Sequence, residues 1–123
     1  MASTTKRFVS APNQNNTYSV VTRDNQYPAF ASTYNVETYA DITTIQPALL
    51  TGAVTVNIDT TYCQIGDTVE FLFKNDGTSR TVTFGTGCAV SASTLVTVAG
   101  KYGSIKFKYF GDLWVELGRS LTA

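Results

Sequence analysis

From Leu49 to Leu117 apolar residues recur at every second position in short runs, a period that suits β-strands and no helix. Val54, Val56 and Ile58 alternate with Thr55 and Asn57, and Val69, Phe71 and Phe73 alternate with Thr68, Glu70, Leu72 and Lys74. The second run has one aromatic face and one mixed face, which predicts a central strand. Asn75-Asp-Gly77 tolerates positive φ and leads into a new alternation, Arg80-Thr-Val-Thr-Phe84, so the pair is expected to form a hairpin. Gly85-Thr-Gly87 ends that strand. Further runs at Cys88 to Val90, Leu95 to Val98, Ser104 to Phe110 and Leu113 to Leu117 are separated by small residues, with Gly111-Asp112 as the last tight turn. Windows apolar enough for a helix are rich in Thr and Val and broken by Gly. The expectation is an all-β fold over residues 47–123: a meander of about six or seven strands closing into an antiparallel β-sandwich or small barrel, jelly-roll-like. Ile105, Phe107 and Tyr109 are assigned to the core, and Lys106 and Lys108 to a solvated face or protected edge. Trp114 falls on the side of Glu116, opposite Leu113, Val115 and Leu117, which suggests that it covers an edge or anchors a subunit contact.

Composition shifts near Gln46-Pro47. Residues 1–46 are rich in Thr, Ser, Asn and Gln and hold neither a helical nor a strand period for long. Asn13-Gln-Asn-Asn16 and Asn25-Gln-Tyr-Pro28 read as loops, because Asn bonds locally and Pro interrupts pairing. The segment nevertheless carries more aromatic and β-branched residues than a disordered tail holds. It is expected to be an extended N-terminal arm that orders against a partner, with Phe8, Tyr18, Tyr27, Phe30, Tyr34 and Tyr39 as contact residues alongside Trp114. The competing reading gives the segment one or two edge strands of its own domain, with Tyr18-Ser-Val-Val-Thr22 the best candidate. The chain shows no internal repeat at this level. A domain of this size buries about 60% of its unfolded surface, so oligomerisation is expected to supply further stability.

The chemistry available is narrow. The chain has no histidine, which removes histidine triads, bases and metal ligands. Its two cysteines, Cys63 and Cys88, are too few for a thiolate zinc site and are expected to be buried or half-buried thiols, with a single bridge the alternative. Asp59, Asp67, Glu70, Asp76, Asp112 and Glu116 include no obvious glycosidase pair and mostly sit where turns use Asp for local bonds. Gly85-Thr-Gly87 lacks the Gly-Lys-Ser/Thr of a phosphate loop, and no dense Asp/Asn run suggests calcium. The expectation is a protein that is not an enzyme and has no catalytic residue, cofactor or metal. Nine basic residues balance nine acidic ones without a charged run, so neither nucleic acid nor an anionic membrane is an expected partner. No apolar run approaches the roughly 20 residues of a membrane span, and Met1 to Ser10 lacks a signal-peptide core, which predicts synthesis in the cytoplasm.

Four stretches carry a resemblance: Thr51-Gly-Ala-Val-Thr-Val-Asn-Ile58, Gly66-Asp-Thr-Val-Glu-Phe-Leu-Phe-Lys-Asn-Asp-Gly77, Arg80-Thr-Val-Thr-Phe-Gly-Thr-Gly87 and Gly111-Asp-Leu-Trp-Val-Glu-Leu-Gly118. Together they resemble a β-module of tailed-bacteriophage virion proteins, which occurs in head-decoration proteins, head fibres and tail fibres. The likeness spans residues 49 to 120 and leaves out the N-terminal third. It implies a structural role on the virion exterior, in a particle assembled in the host cytoplasm, with the major capsid protein or other virion subunits as partners and a trimer as the favoured homo-oligomer. The short chain fits a capsid decoration or head-fibre protein better than a long repetitive tail fibre. The alternative role is a tail-fibre or receptor-binding protein that takes host-surface glycan on aromatics such as Tyr102 or Trp114.

Overall fold

The structure, a computed structural model, describes residues 8–12, 18–20 and 23–121; for the first two segments it describes the backbone only. The described residues form strands and loops without a helix, and none of them could cross a membrane as one. Phe8–Pro12 (β1) and Tyr18–Val20 (β2) pair antiparallel as a sheet of their own.

The next six strands wind as a β-solenoid of about 3 turns. Each turn, or rung, places one strand in each of two facing sheets. Arg23–Gln26 (β3) and Thr33–Val36 (β4) make the first rung, Ile42–Ile45 (β5) and Val54–Ile58 (β6) the second, Thr68–Lys74 (β7) and Thr81–Phe84 (β8) the third. All pairings between rungs are parallel and nearly unbroken in register: Gln26 lies beside Ile45 and Ile45 beside Phe71, while Tyr34 lies beside Val56 and Val56 beside Phe84.

Past the third rung the pairing changes direction. Cys88–Ala89 (β9) and Thr94–Val96 (β10) lead to the long hairpin of Tyr102–Tyr109 (β11) and Trp114–Leu121 (β12). β11 pairs antiparallel with β7 and with β12, β9 runs parallel on the far side of β12, and β10 pairs antiparallel with β8. The result is a six-stranded sheet, β3-β5-β7-β11-β12-β9, facing a four-stranded one, β10-β8-β6-β4.

The core lies between these sheets and follows the alternation in the sequence. Val54, Val56, Ile58, Val82, Phe84 and Leu95 point inward from one sheet; Ile45, Val69, Phe71, Phe73, Ile105 and Phe107 point inward from the other. Phe107 joins them by meeting Phe71 edge-on at 6.0 Å and Phe84 at 5.6 Å. Lys106 and Lys108 face away from the core as expected, Lys106 fully exposed and Lys108 partly. The inward face becomes more polar toward the N-terminal end: Phe71 is stacked on Ile45 and Ile45 on Gln26, while Val69 is stacked on Thr43 and Thr43 on Asp24.

Several expectations are corrected. The antiparallel meander is not formed: in residues 47–121 the antiparallel pairs are β7 with β11, β8 with β10 and the β11–β12 hairpin, and the strands that return to the same sheet after a full turn run parallel. Asn75-Asp-Gly77 does not close a hairpin; it carries the chain from β7 in one sheet to β8 in the other, with Gly77 at φ 96°. Gln46-Pro47 is no boundary, since β3 to β5 are hydrogen-bonded into the same sheets as β6 to β8, and Tyr34, Val36 and Ile45 share their core. Trp114 and Glu116 do share a face, but it is the core face: Trp114 is fully buried and donates its indole N–H to the Asp59 carbonyl at 3.4 Å. Leu113 and Leu117 take the exposed side instead.

Candidate functional site

Solenoid stacking exposes a repeat that the sequence hides. Thr33-Tyr-Asn-Val-Glu-Thr-Tyr-Ala40 and Thr55-Val-Asn-Ile-Asp-Thr-Thr-Tyr-Cys63 share the order Thr, apolar, Asn, apolar, acid, Thr, Tyr, small, with one Thr inserted in the second copy. Parallel register then puts like on like. Thr33 lies beside Thr55, Asn35 beside Asn57 and Val36 beside Ile58. Continuing that register brings the outward-facing Glu37 next to Asp59, at the spacing of adjacent strands, about 4.8 Å. Tyr39 and Tyr62 meet at 5.2 Å between ring centres, with planes 33° apart. Ala40 and Cys63 both fall inside the fold and are fully buried.

The third rung departs from the repeat at the positions that matter. After Thr83 and Phe84 it carries Gly85-Thr-Gly87 where the upper rungs carry Asn and an acid. A Cβ at Gly85 would sit 2.4 Å from the Asn57 Oδ1, and one at Gly87, where φ is 85°, would sit 2.0 Å from the Ile58 carbonyl oxygen. Glycine at both sites therefore lets the Asn57 amide settle over the third rung. Its Oδ1 accepts from the Thr86 N–H at 2.8 Å, and its Nδ2 donates to Asn35 Oδ1 at 3.1 Å.

This ladder lines an outward groove of about 350 Å³ formed by Asn35, Glu37, Asn57, Ile58, Asp59 and Thr86. Backbone bonds fix its walls: Asp59 N–H donates to Val36 O at 2.7 Å and Ile58 N–H to Thr86 O at 3.0 Å. Asp59 Oδ1 accepts from the Thr61 N–H and hydroxyl. The Tyr39 hydroxyl donates to Glu37 Oε1, and this bond, aided by burial and by the charge of Glu37, pushes the phenol up to about 12. The tyrosine pair thus stands next to the groove, joined to it through the Tyr39 hydroxyl on Glu37.

A second groove, of about 310 Å³, lies on the outer face of the six-stranded sheet among Gln46, Leu72, Lys74, Tyr102, Ser104 and Ser120. Tyr102 is exposed there, with the Lys74 ammonium 5.8 Å from its ring centre. Among the described residues no three of Cys, Asp and Glu gather closely enough to hold a metal ion. Neither cysteine is in a disulfide; Cys63 is buried and Cys88 half-buried.

The contact residues expected from sequence separate into distinct environments. Phe8 and Tyr18 lie in β1 and β2, and their side chains fall outside the described residues. Tyr27 is 72% exposed and Tyr39 lies half-buried beside the groove. Phe30 packs against the core, with its ring tip 3.4 Å from where a Cβ on Gly52 would be. Tyr34 is a core residue and not a contact residue: its ring is buried and its hydroxyl donates to Ala29 O while accepting from Ala31 N–H, each at 3.2 Å. Trp114 is withdrawn from the surface in the same way.

The rung geometry also defines two strand edges. β3 and β4 are the terminal strands of their sheets, and no described strand pairs with their outer sides. At the other end the third rung is covered by β10, β11 and β12. Asn35, Glu37, Asn57, Tyr62 and Thr86 were not picked out by sequence reasoning; the repeated Asn-apolar-acid spacing was the signal that could have found them. Compared with known proteins, the chain matches no protein-family model and no curated protein.

Proposed function

We propose that this protein is a non-enzymatic structural component of a virus particle, of the capsid decoration or head-fibre kind, which attaches by its N-terminal end and holds a rigid β-solenoid outward. The observation that carries this reading is the difference between the two ends of the sheets: the first rung ends in two four-residue parallel edges, β3 and β4, that no described strand covers, whereas the opposite edges are the two- and three-residue strands β9 and β10. Strand edges of this kind are templates for strand addition by another chain, and β4, Thr33-Tyr-Asn-Val36, carries no charge, proline or bulge that would discourage it. Arg23-Asp-Asn-Gln26 and Thr33-Tyr-Asn-Val36 would add their hydrogen bonds to a neighbouring capsid subunit, with residues 1–22 extending the contact. The sequence resemblance of residues 49 to 120 supports the virion setting and, with it, a trimer.

The test is co-sedimentation of the full chain with tailed-phage capsids that lack it. Removing residues 1–22 is expected to leave the solenoid folded, by circular dichroism and by the emission of the buried Trp114, while attachment falls at least tenfold. Undiminished attachment refutes the reading. Sedimentation equilibrium of the full chain at micromolar concentration checks the trimer, and a monomer there removes it.

A further inference from the structure

We propose that the groove lined by Asn35, Glu37, Asn57, Asp59 and Thr86, with Tyr39 and Tyr62 next to it, is a binding site for an uncharged saccharide. Three features of the groove converge on that class of ligand. Its unengaged polar atoms suit hydroxyl groups, which donate and accept together: Glu37 Oε2 and Asp59 Oδ2 are free to accept, Asn35 Nδ2 to donate, and the Thr86 hydroxyl to do either. The half-buried tyrosine pair offers apolar ring surface beside those groups, which suits the C–H face of a sugar ring. Two carboxylates in register on neighbouring rungs set the sign of the local field, so sugars bearing carboxylate, sulfate or phosphate are repelled.

A purely architectural role explains less. Asparagine on asparagine is a stabilising ladder in a solenoid, since each amide bonds the next. Acid on acid is not, because like charges directly opposite across neighbouring strands are destabilising. The two rungs nevertheless repeat the acid two residues after the asparagine, and the third rung has glycine at 85, where a side chain would collide with the Asn57 amide. A volume of about 350 Å³ is at the small end of ligand sites. Its walls are hydrogen-bonded strand ends, so little ordering is needed on binding. The site is also not the one that sequence suggested for glycan: Trp114 is in the core, and Tyr102 lies on the outer face of the opposite sheet. Because the groove is on an outward face and not on a strand edge, strand addition at β4 would leave it open, and this site stands apart from the attachment proposed above.

The experiment is a nuclear magnetic resonance titration of the full chain, following backbone amides, with maltotriose, chitotriose, mannotriose and galactotriose as neutral probes and trigalacturonate as the anionic one. At least one neutral trisaccharide is expected to shift the amides of Asn35, Glu37, Asp59 and Thr86, while trigalacturonate at equal concentration leaves them in place. Glu37→Gln and Asn35→Ala, both at exposed positions and checked for fold by circular dichroism, are expected to weaken binding at least tenfold; Tyr102→Ala is expected to leave it unchanged. The proposal is overturned if no neutral probe binds, if trigalacturonate binds as well, if chelation with EDTA abolishes binding, or if Tyr102→Ala and not the groove variants removes it. Particle attachment measured on the same groove variants is expected to stay intact, which keeps the two proposals separately testable.

Discussion

Glu116 is the acidic residue whose loss should be felt most, and the reason is a one-residue irregularity in β12. Lys106 pairs with Gly118 and Phe107 with Glu116, so Leu117 is bulged out of the ladder. The bulge brings Glu116 and Arg119, three residues apart, onto the same core-facing side. There they form a bidentate pair, Arg119 Nε to Glu116 Oε2 at 2.8 Å and Nη2 to Oε1 at 2.9 Å. Glu116 also accepts from the Ser91 N–H and hydroxyl, and Arg119 donates to Ala92 O and Thr94 O. The pair thus ties the β9–β10 connection to the hairpin. The Glu116 side chain is 6% exposed, and bonding to Arg119 and then Ser91, against burial, holds its carboxyl at about 2 instead of 4.5. At about 1.36 kcal/mol per pKa unit this corresponds to about 3 kcal/mol. Because the folded-state value lies below the unfolded one, that stability is nearly complete above about pH 5 and fades as pH falls toward 2, with about three-fifths gone by pH 3. Glu116→Gln keeps the shape and removes the charge, leaving Arg119 with carbonyl partners alone. Its expected cost is about 2–3 kcal/mol at pH 7, shrinking to about 1 kcal/mol by pH 3. Urea unfolding followed by Trp114 emission at pH 7, 4.5 and 3 measures both. A difference between wild type and variant that stays constant across this range, or that is under 1 kcal/mol at pH 7, refutes the reasoning.

Asn75→Ala is expected to cost about 2–3 kcal/mol in the same assay: the buried amide donates to Thr97 Oγ1 and Val98 O and accepts from the Gly77 and Gly100 N–H groups, and alanine takes that acceptor from both N–H groups. Gly87→Ala should destabilise by more than about 3 kcal/mol, since its Cβ meets the Ile58 carbonyl; Gly66→Ala, at φ 93° with nothing within 4 Å, should cost only about 1 kcal/mol, and equal costs would contradict the close approach. Burial pushes the Cys88 thiol up to about 11, so iodoacetamide at pH 8 should modify it at least tenfold more slowly than glutathione, as read by mass spectrometry, until urea unfolds the chain.

How much of this was legible depended on which physical rule the residues were obeying. The strand period was plain, and with it the inward faces of β6, β7, β8 and β11, because alternation states which residues share a side. Pairing direction was not plain. Antiparallel and parallel strands can carry the same alternation, and the loops between rungs are short enough to pass for hairpin connections. Val69-Glu-Phe-Leu-Phe73 followed by Asn75-Asp-Gly77 therefore reads as the first arm of a hairpin, although the turn crosses between sheets. The repeat escaped notice for a related reason: Asn35 and Asn57 are 22 residues apart, but an inserted Thr delays Tyr62 and the third rung replaces the Asn and the acid with glycines. Residues 23–46 looked like an arm because the first rung turns Asp24 and Gln26 inward, where a core strand would carry apolar side chains. Trp114 was placed on the correct side relative to its neighbours, yet the side was taken for solvent, since Glu116 shares it and only the bulge and Arg119 make an inward carboxylate tolerable.

Parallel stacking makes two opposite demands of the same sequence, and the tension between them locates the surfaces that matter. In-register rungs reward identical neighbours when these are apolar or amide, as with Val54 beside Val82 and Asn35 beside Asn57. They penalise like charges, and the register that sets Val36 beside Ile58 leads on to Glu37 and Asp59. At the closed end the chain neutralises its inward acid with Arg119. At the groove it leaves the acids side by side, with a hydroxyl from Tyr39 on one and from Thr61 on the other. A structure that can pair a carboxylate with arginine in one place and does not do so in another is not short of means. Under the proposals above, the acids would present acceptors outward from the groove, and the β3 and β4 edges, which no described strand covers, would present backbone groups along the solenoid axis. Both features lower the stability of the isolated chain, and both would be relieved by a partner: one by hydroxyl donors, the other by a further strand.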